Sequence, residues 1–314
     1  MHTATFAPPV CVLGLGLIGG SLLRAAAATG RQAWGYNRSP QAVDAARDLG
    51  FDATTDLAAT LERAADAGAI VVIAVPMPAV GDILEAVARH APDVALTDVV
   101  SVKSEVAAAV AAHGLSRRFV GGHPMAGTAE SGWDASTAGL FRDAVWVVTV
   151  DEGTDAGVWQ EVADLALDCG SVVVPAESGE HDAAVARISH LPHILAEALA
   201  LAGSAGGDLA LGLAAGSFRD GTRVAATAPS LVDAMCEANA SALLGALDET
   251  LAVLTAAREQ LADGTTSDLT RAGFEARTRY EQRTRVPITG VVPGEGDWLT
   301  ALREAGRRGE VWTR

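Results

Sequence analysis

The stretch Val-Cys-Val-Leu-Gly-Leu-Gly-Leu-Ile-Gly-Gly-Ser at residues 10–21 limits what this chain can fold into more than any other. An apolar run ends in Gly-x-Gly-x-x-Gly, and the alanine-rich segment 22–28 that follows suits a helix. Gly14 permits a tight turn, Gly16 lets the backbone approach a pyrophosphate, and Gly19 lets the helix pack close to the strand. The amides that open the helix, at Leu17 and Ile18, and its positive dipole end then face the anion. Strand, glycine turn and helix in that order predict a dinucleotide site built on Gly14, Gly16, Leu17, Ile18 and Gly19.

At 314 residues the chain is long for one core, so two domains are expected. A net charge of −16 argues against nonspecific nucleic-acid binding, which needs clustered Lys and Arg; an anionic ligand would be met by a few placed cations. Cys11, Cys169 and Cys236 lie far apart in apolar surroundings without metal-type spacing, and read as small buried hydrophobes; no metal site is expected. No segment has the unbroken apolar length of a membrane span, and residues 1–9 lack a basic region followed by an apolar run. A cytoplasmic protein without membrane contact is the expectation.

Strand-like and helical segments alternate from residue 10 to about 174, which predicts an α/β, Rossmann-type doubly wound, mostly parallel sheet. Residues 32–36 read as the second strand, ending in Asn37-Arg38-Ser39-Pro40. Such folds read the adenosine ribose there, and the usual acid is missing. Asn37 can bond a hydroxyl while Arg38 and Ser39 can cradle a phosphate, so NADP is favoured slightly over NAD; a solvated loop charge is the other reading of Arg38. The apolar run 69–75 predicts a buried strand stopped by Pro76, with Val75 and Pro76 at the cofactor crevice. Residues 94–100 form a further strand that delivers Ser101 and Lys103, read either as chemistry or as a helix cap and a surface lysine. Residues 119–120 lead into Gly121-Gly-His-Pro-Met-Ala-Gly-Thr-Ala-Glu130, where His123 stands at a strand end as a candidate acid–base group. Segments 145–150 and 171–174 complete the sheet, around a helix at 156–169.

Alanine-rich helical periodicity takes over near residue 177, which predicts a nucleotide domain at 1–177, a helical domain at 178–283 and a C-terminal extension at 284–314. Residues 181–203 read as one helix kinked at Pro192, with Ser189 and His193 on one face and Arg187 and His190 nearby. Residues 216–223 read as a polar loop: Arg219 has Asp220 for a partner, and Arg223 has the stronger claim to a carboxylate ligand. Residues 230–262 read as a single long helix whose Leu244, Leu247, Leu251, Leu254 and Leu261 form a stripe, packed either within the subunit or in a homodimer. One more helix is expected at 267–283. The tail from 286 reads as strand, turn, helix and strand, either docked on the helical domain or left over from a regulatory module.

Gly14–Gly19, Ser101-Val-Lys103, Gly122-His-Pro-Met-Ala-Gly127, His181-Asp182, Ser189-His-Leu-Pro-His193 and Phe218-Arg-Asp-Gly-Thr-Arg223 together resemble the prephenate and arogenate dehydrogenases of tyrosine biosynthesis, over residues 10–262. The resemblance implies a nucleotide domain joined to a dimer-forming helical domain, with the active site in the cleft between them. It implies hydride transfer from a cyclohexadienol to NAD or NADP with loss of carbon dioxide, the substrate being prephenate or arogenate. His123 matches the catalytic base, Ser101 the serine that orients hydroxyl and base, Arg223 a carboxylate binder, and His193 with Ser189 the groups steadying the other end of the substrate. Thr128 belongs to the same His-Pro motif and is carried as a substrate-side residue. The chain departs from the family where a Glu commonly follows that Thr: here Ala129 precedes Glu130, a candidate contact for the ammonium of arogenate. Asn37 in place of an acid is the second departure.

Two rival readings are a hydroxy-acid dehydrogenase and a nucleotide-binding sensor without turnover. The first usually depends on a lysine on the helix after the domain boundary, and residues 181–203 contain none.

Overall fold

The apolar run before the glycine turn becomes β1 (Val10–Leu13), buried throughout, in the computed structural model, which describes residues 7–128 and 130–314. Most of the N-terminal stretch read for a signal, and Ala129 of the family departure, lie outside the described residues. There follow α1 (Leu17–Ala28), β2 (Ala33–Tyr36), α2 (Pro40–Asp48), β3 (Ala53–Thr54), α3 (Leu57–Ala67), β4 (Ile70–Ile73), α4 (Val80–His90), β5 (Ala95–Asp98), α5 (Ser104–Ala112) and β6 (Phe119–Val120). The six strands form one parallel sheet in the order β3-β2-β1-β4-β5-β6. Two-residue periodicity sends Val10, Val12, Ile70 and Val72 into one core and Cys11, Leu13, Val71 and Ile73 into another. A sheet covered on both faces needs runs as apolar as these, and the doubly wound expectation holds. Burial pushes the Cys11 and Cys169 thiols up to about 12, so both are inert packing groups.

The later strands do not complete that sheet. β7 (Gly122–Pro124), β8 (Val145–Thr149) and, after α6 (Ala156–Asp168), β9 (Val172–Ala176) make a separate three-stranded sheet, antiparallel between β7 and β8 and parallel between β8 and β9. The reason lies at Gly122. Its amide donates to Asp98 Oδ2 (3.4 Å) and its carbonyl accepts from Lys103 Nζ (2.7 Å), so side chains take the place of a further parallel rung beside β5.

The chain divides into two compact units: one runs to His181 and includes Pro287–Arg314, the other is Asp182–Val286. The tail therefore groups with the nucleotide-binding unit and not, as one of its two readings had it, with the helical domain. Trp312 exchanges backbone hydrogen bonds with Val173 of β9 (2.8 and 3.2 Å), and its ring meets Trp159 edge-on at 5.2 Å.

The second unit continues α7 (Ser178–Val185) through a π turn (Ala186–His190) into α8 (Leu191–Ala205), then α9 (Gly207–Gly212), α10 (Gly216–Thr222), α11 (Pro229–Ala238), α12 (Ala240–Ala262) and α13 (Ser267–Glu281). The predicted kink at Pro192 is this π turn, which ends where the proline, lacking an N–H, opens α8. The predicted long helix is broken at Asn239, whose buried Nδ2 donates to the Asp182 carbonyl (2.8 Å) and lies 3.1 Å from His190 Nδ1. The predicted loop at 216–223 is α10 and the start of a 3-10 turn. The buried cluster here holds only Ala186, Leu243 and Ala246. Leu244, Leu251, Leu254 and Leu261 are each half or more exposed, so most of the stripe does not pack within the subunit. Contrary to expectation, α12 is long and apolar enough to cross a membrane by length and composition, with mean hydropathy 1.4. Asp248 and Glu249 interrupt it midway, and Arg187 clasps Glu249 through two bonds of 2.5 and 2.8 Å.

Candidate active site

In the first unit the glycine turn, the Val75–Pro76 turn and the turn bearing Ser101 follow the ends of β1, β4 and β5. Gly14 holds φ +112°, open to glycine at low cost, and a Cβ there would strike the Ala74 carbonyl. A Cβ on Gly19 would enter the Gly14 carbonyl, so this position fixes how closely α1 approaches the turn. A Cβ on Gly16 would meet nothing within 4 Å, the open space a pyrophosphate requires. Gly16 caps α1 without a side-chain bond, which leaves Leu17 and Ile18 in the first turn where amides lack carbonyl partners. A cavity of about 600 Å³ opens beside this turn, lined among others by Gly14, Gly16, Asn37, Arg38, Val75 and Pro76. Its size and these glycines fit a nicotinamide dinucleotide. Arg38 is exposed and forms no ion pair among the described residues. Ser39 is committed elsewhere: its hydroxyl caps α2 by accepting from Ala42 N (3.5 Å), and it does not line the cavity.

Beyond β5 the chain buries a charged pair. Asp98 and Lys103 form an ion pair with no side-chain exposure on either partner. Asp98 Oδ1 also accepts from Val100 N (2.7 Å). Burial pushes the Asp98 carboxyl up, against the opposing pull of the Lys103 ammonium and the amide donors. Lys103 is therefore no surface lysine, and Ser101 does not cap α5, whose N-terminus has no side-chain cap. Instead the pair knots the turn bearing Ser101 to Gly122, one residue before His123. A Cβ on Gly122 would lie 2.6 Å from the Asp98 carbonyl oxygen, so only glycine lets this strand come so near.

His123 sits on β7 opposite Val147 and is half-buried. Its Nδ1 lies 2.8 Å from Nε2 of His181, which is buried on α7, and the rings meet edge-on with centroids 5.0 Å apart. One nitrogen of that contact must donate and the other accept. For Nε2 of His123 to accept a proton, Nδ1–H must donate to His181, so the contact with His181 sets which tautomer of His123 can do so. α7 is itself braced: Ser178 donates to Asp151 through its amide (2.8 Å) and its hydroxyl (2.5 Å). From the C-terminal segment, α14 (Trp298–Arg307) adds Arg307, whose guanidinium reaches Glu180 (2.6 Å) and Glu177 (3.2 Å). The Asp98–Lys103 pair, the role of His181 and this brace were missed by the sequence reading. The signal for the first was an Asp within an apolar strand with a Lys five residues on.

Thr128 and Glu130 are exposed, and the Glu130 amide donates to Thr128 Oγ1 (3.2 Å). In the helical unit Ser189 lies in the π turn and His193 in the first turn of α8, both half-buried, with His193 Nδ1 buried and without a hydrogen-bond partner among the described residues. Arg219 stands 3.8 Å from Asp220, both exposed, as the salt-bridge reading holds. Arg223 is exposed without an ion pair among the described residues.

A glycine turn that opens a helix at the end of a doubly wound sheet, and in the same unit an imidazole paired with a second imidazole, are the parts of a nucleotide-dependent dehydrogenase. The chain matches the family models described as "Prephenate dehydrogenase, nucleotide-binding domain" over residues 21–175 and "Prephenate dehydrogenase, dimerization domain" over residues 177–273. It is 51% identical to a Corynebacterium glutamicum "putative prephenate dehydrogenase", with TM-score 0.92 over 98% of each chain. Prephenate dehydrogenase from A. aeolicus, solved with hydroxyphenyl propionate and NAD+, is 27% identical with TM-score 0.78 over 88% of this chain and 98% of that one. Arogenate dehydrogenase from Synechocystis is 31% identical with TM-score 0.75 over 87% and 99%. The chain belongs to the prephenate dehydrogenase family and is an oxidoreductase with a nucleotide-binding domain.

Proposed function

We propose that the chain oxidises prephenate to 4-hydroxyphenylpyruvate with release of carbon dioxide, using NADP or NAD, in the cytoplasm and as a homodimer. The orientation of His123 by His181 carries this reading. A dinucleotide bound in the cavity supplies the hydride acceptor. His123 Nε2 takes the substrate's hydroxyl proton as hydride leaves the carbinol carbon, and Ser101 orients that hydroxyl. The ring carboxylate departs as carbon dioxide and its electron pair completes the aromatic ring. Arg223 binds a substrate carboxylate, and His193, Ser189 and Thr128 steady the substrate's other groups. Replacing Arg223 by Ala is expected to raise KM about ten- to a hundredfold, the worth of a charge-assisted pair, with kcat little changed. A large fall in kcat at unchanged KM in steady-state assays would refute that role.

Arogenate is the second reading, favoured by Glu130 being exposed beside Thr128. Glu130→Gln should then lower kcat/KM for arogenate while sparing prephenate; an unmoved ratio removes Glu130 from substrate choice. Arg38 at the cavity supports NADP over NAD, with the Asn37 amide serving the ribose. Turnover of both substrates with both cofactors tests all of these choices, and a clear preference for NAD would contradict this one. The exposed leucines of α12 support dimerisation, since a monomer seldom leaves so much apolar surface in water. The buried, unbridged thiols of Cys11 and Cys169 suit a reducing compartment.

A further inference from the structure

The dinucleotide cavity has a wall that neither the glycine turn nor the ribose-reading strand end supplies. Gly132 and Trp133, nine and ten residues beyond His123, line it together with Gly16, Asn37 and Arg38. Trp133 is only 4% exposed, and three contacts fix it. The Arg24 guanidinium of α1 stacks on its ring at 4.2 Å, Phe51 meets it edge-on at 5.5 Å, and Ser136 donates to its carbonyl (2.5 Å). The segment is also tied to α1: Arg24 Nε donates to Ser136 Oγ (2.8 Å), and the Thr137 amide donates to Ser21 Oγ (2.9 Å). Gly20 is the companion of this arrangement, because a Cβ there would lie 3.0 Å from Trp133 and 2.9 Å from Ser136. Gly132 holds φ +87°, which keeps its backbone at the cavity without a side chain. At 4% exposure the indole shows the cavity only an edge; its packing against Arg24, Phe51 and Gly20 fixes the Gly132 backbone there, with little rotamer entropy left to lose when a ligand arrives.

We infer that Gly132 and Trp133 form a binding wall for the dinucleotide on its adenosine side, clamped against α1 by Arg24. The inference rests on the nucleotide-binding reading of the cavity. It makes the chain that leaves the catalytic strand part of the cofactor site, so cofactor affinity depends on residues outside the glycine motif.

Isothermal titration of the full chain with NAD+ and NADP+ tests it, with thermal melts of each variant alongside. Trp133→Ala should weaken binding of whichever dinucleotide the wild type prefers by about tenfold, because the Gly132 backbone and the edge of the ring are no longer held at the cavity. Trp133→Phe, which keeps a ring over Arg24, should bind within about threefold of wild type. Arg24→Gln should weaken binding in the same direction as the alanine variant, and it carries the test if Trp133→Ala does not fold. KM for the carboxylate substrate at saturating dinucleotide should stay the same in Arg24→Gln. Equal affinity in wild type and both weakening variants, or a lowered melting temperature with unchanged affinity, overturns the wall. Failure of the wild type itself to bind either dinucleotide would instead sink the nucleotide reading.

Discussion

His123→Asn should lose at least about a hundredfold in kcat while binding dinucleotide as tightly as the wild type, because asparagine keeps polar contacts but cannot take the proton. The matching change one step back, His181→Asn, should cost less, since it removes the partner that selects the tautomer and leaves the imidazole in place. Rapid-quench turnover and equilibrium dinucleotide binding, measured on the same preparations, separate the two effects. Near-normal kcat in His123→Asn would remove this residue from the chemistry.

Lys103→Met should be the most destabilising single change at the site. It leaves Asp98 buried with its cation gone, and breaking such a pair costs about 3–5 kcal/mol. For a unit of this size that corresponds to a fall of about 10 °C in Tm. Catalysis should fall as well, because the Gly122 carbonyl loses the donor that fixes β7 next to His123. Combining Lys103→Met with Asp98→Leu removes both charges and should restore part of the lost Tm, a non-additivity that a calorimetric double-mutant cycle reads directly. If the single variant melts within about 1 °C of wild type, the pair does not hold this strand.

The nucleotide-binding half was legible because its signals are local. Glycines with one allowed use each, and short apolar runs between helices, name their own structure: residues 32–36 read as the second strand and β2 occupies Ala33–Tyr36. What sequence did not reveal depends on partners far along the chain. Asn239 ends a helix that periodicity would continue, because its amide is claimed by Asp182 from 57 positions away. The second sheet arises because two side chains, at 98 and 103, intercept the backbone of Gly122. The tail at 287–314 finds its place through distant partners, among them β9, Trp159, Glu177 and Glu180. Site residues divide in the same way. His123 was readable from its glycine and proline neighbours, whereas the contact with His181 spans 58 positions and has no local trace. Ser39 shows the opposite failure: a helix cap and a phosphate ligand use the same hydroxyl, and only the fold reveals its engagement with Ala42.

In the proposed reaction, decarboxylation drives hydride loss from a cyclohexadienol and imidazole 123 receives the proton. Its most direct test mixes wild-type protein with prephenate or arogenate and an oxidised nicotinamide cofactor, then follows reduced cofactor by absorbance and carbon dioxide by trapping. One equivalent of each should form per equivalent of one substrate consumed, and almost none with His123→Asn. Reduced cofactor without carbon dioxide, or no turnover of either substrate by wild type, would contradict it.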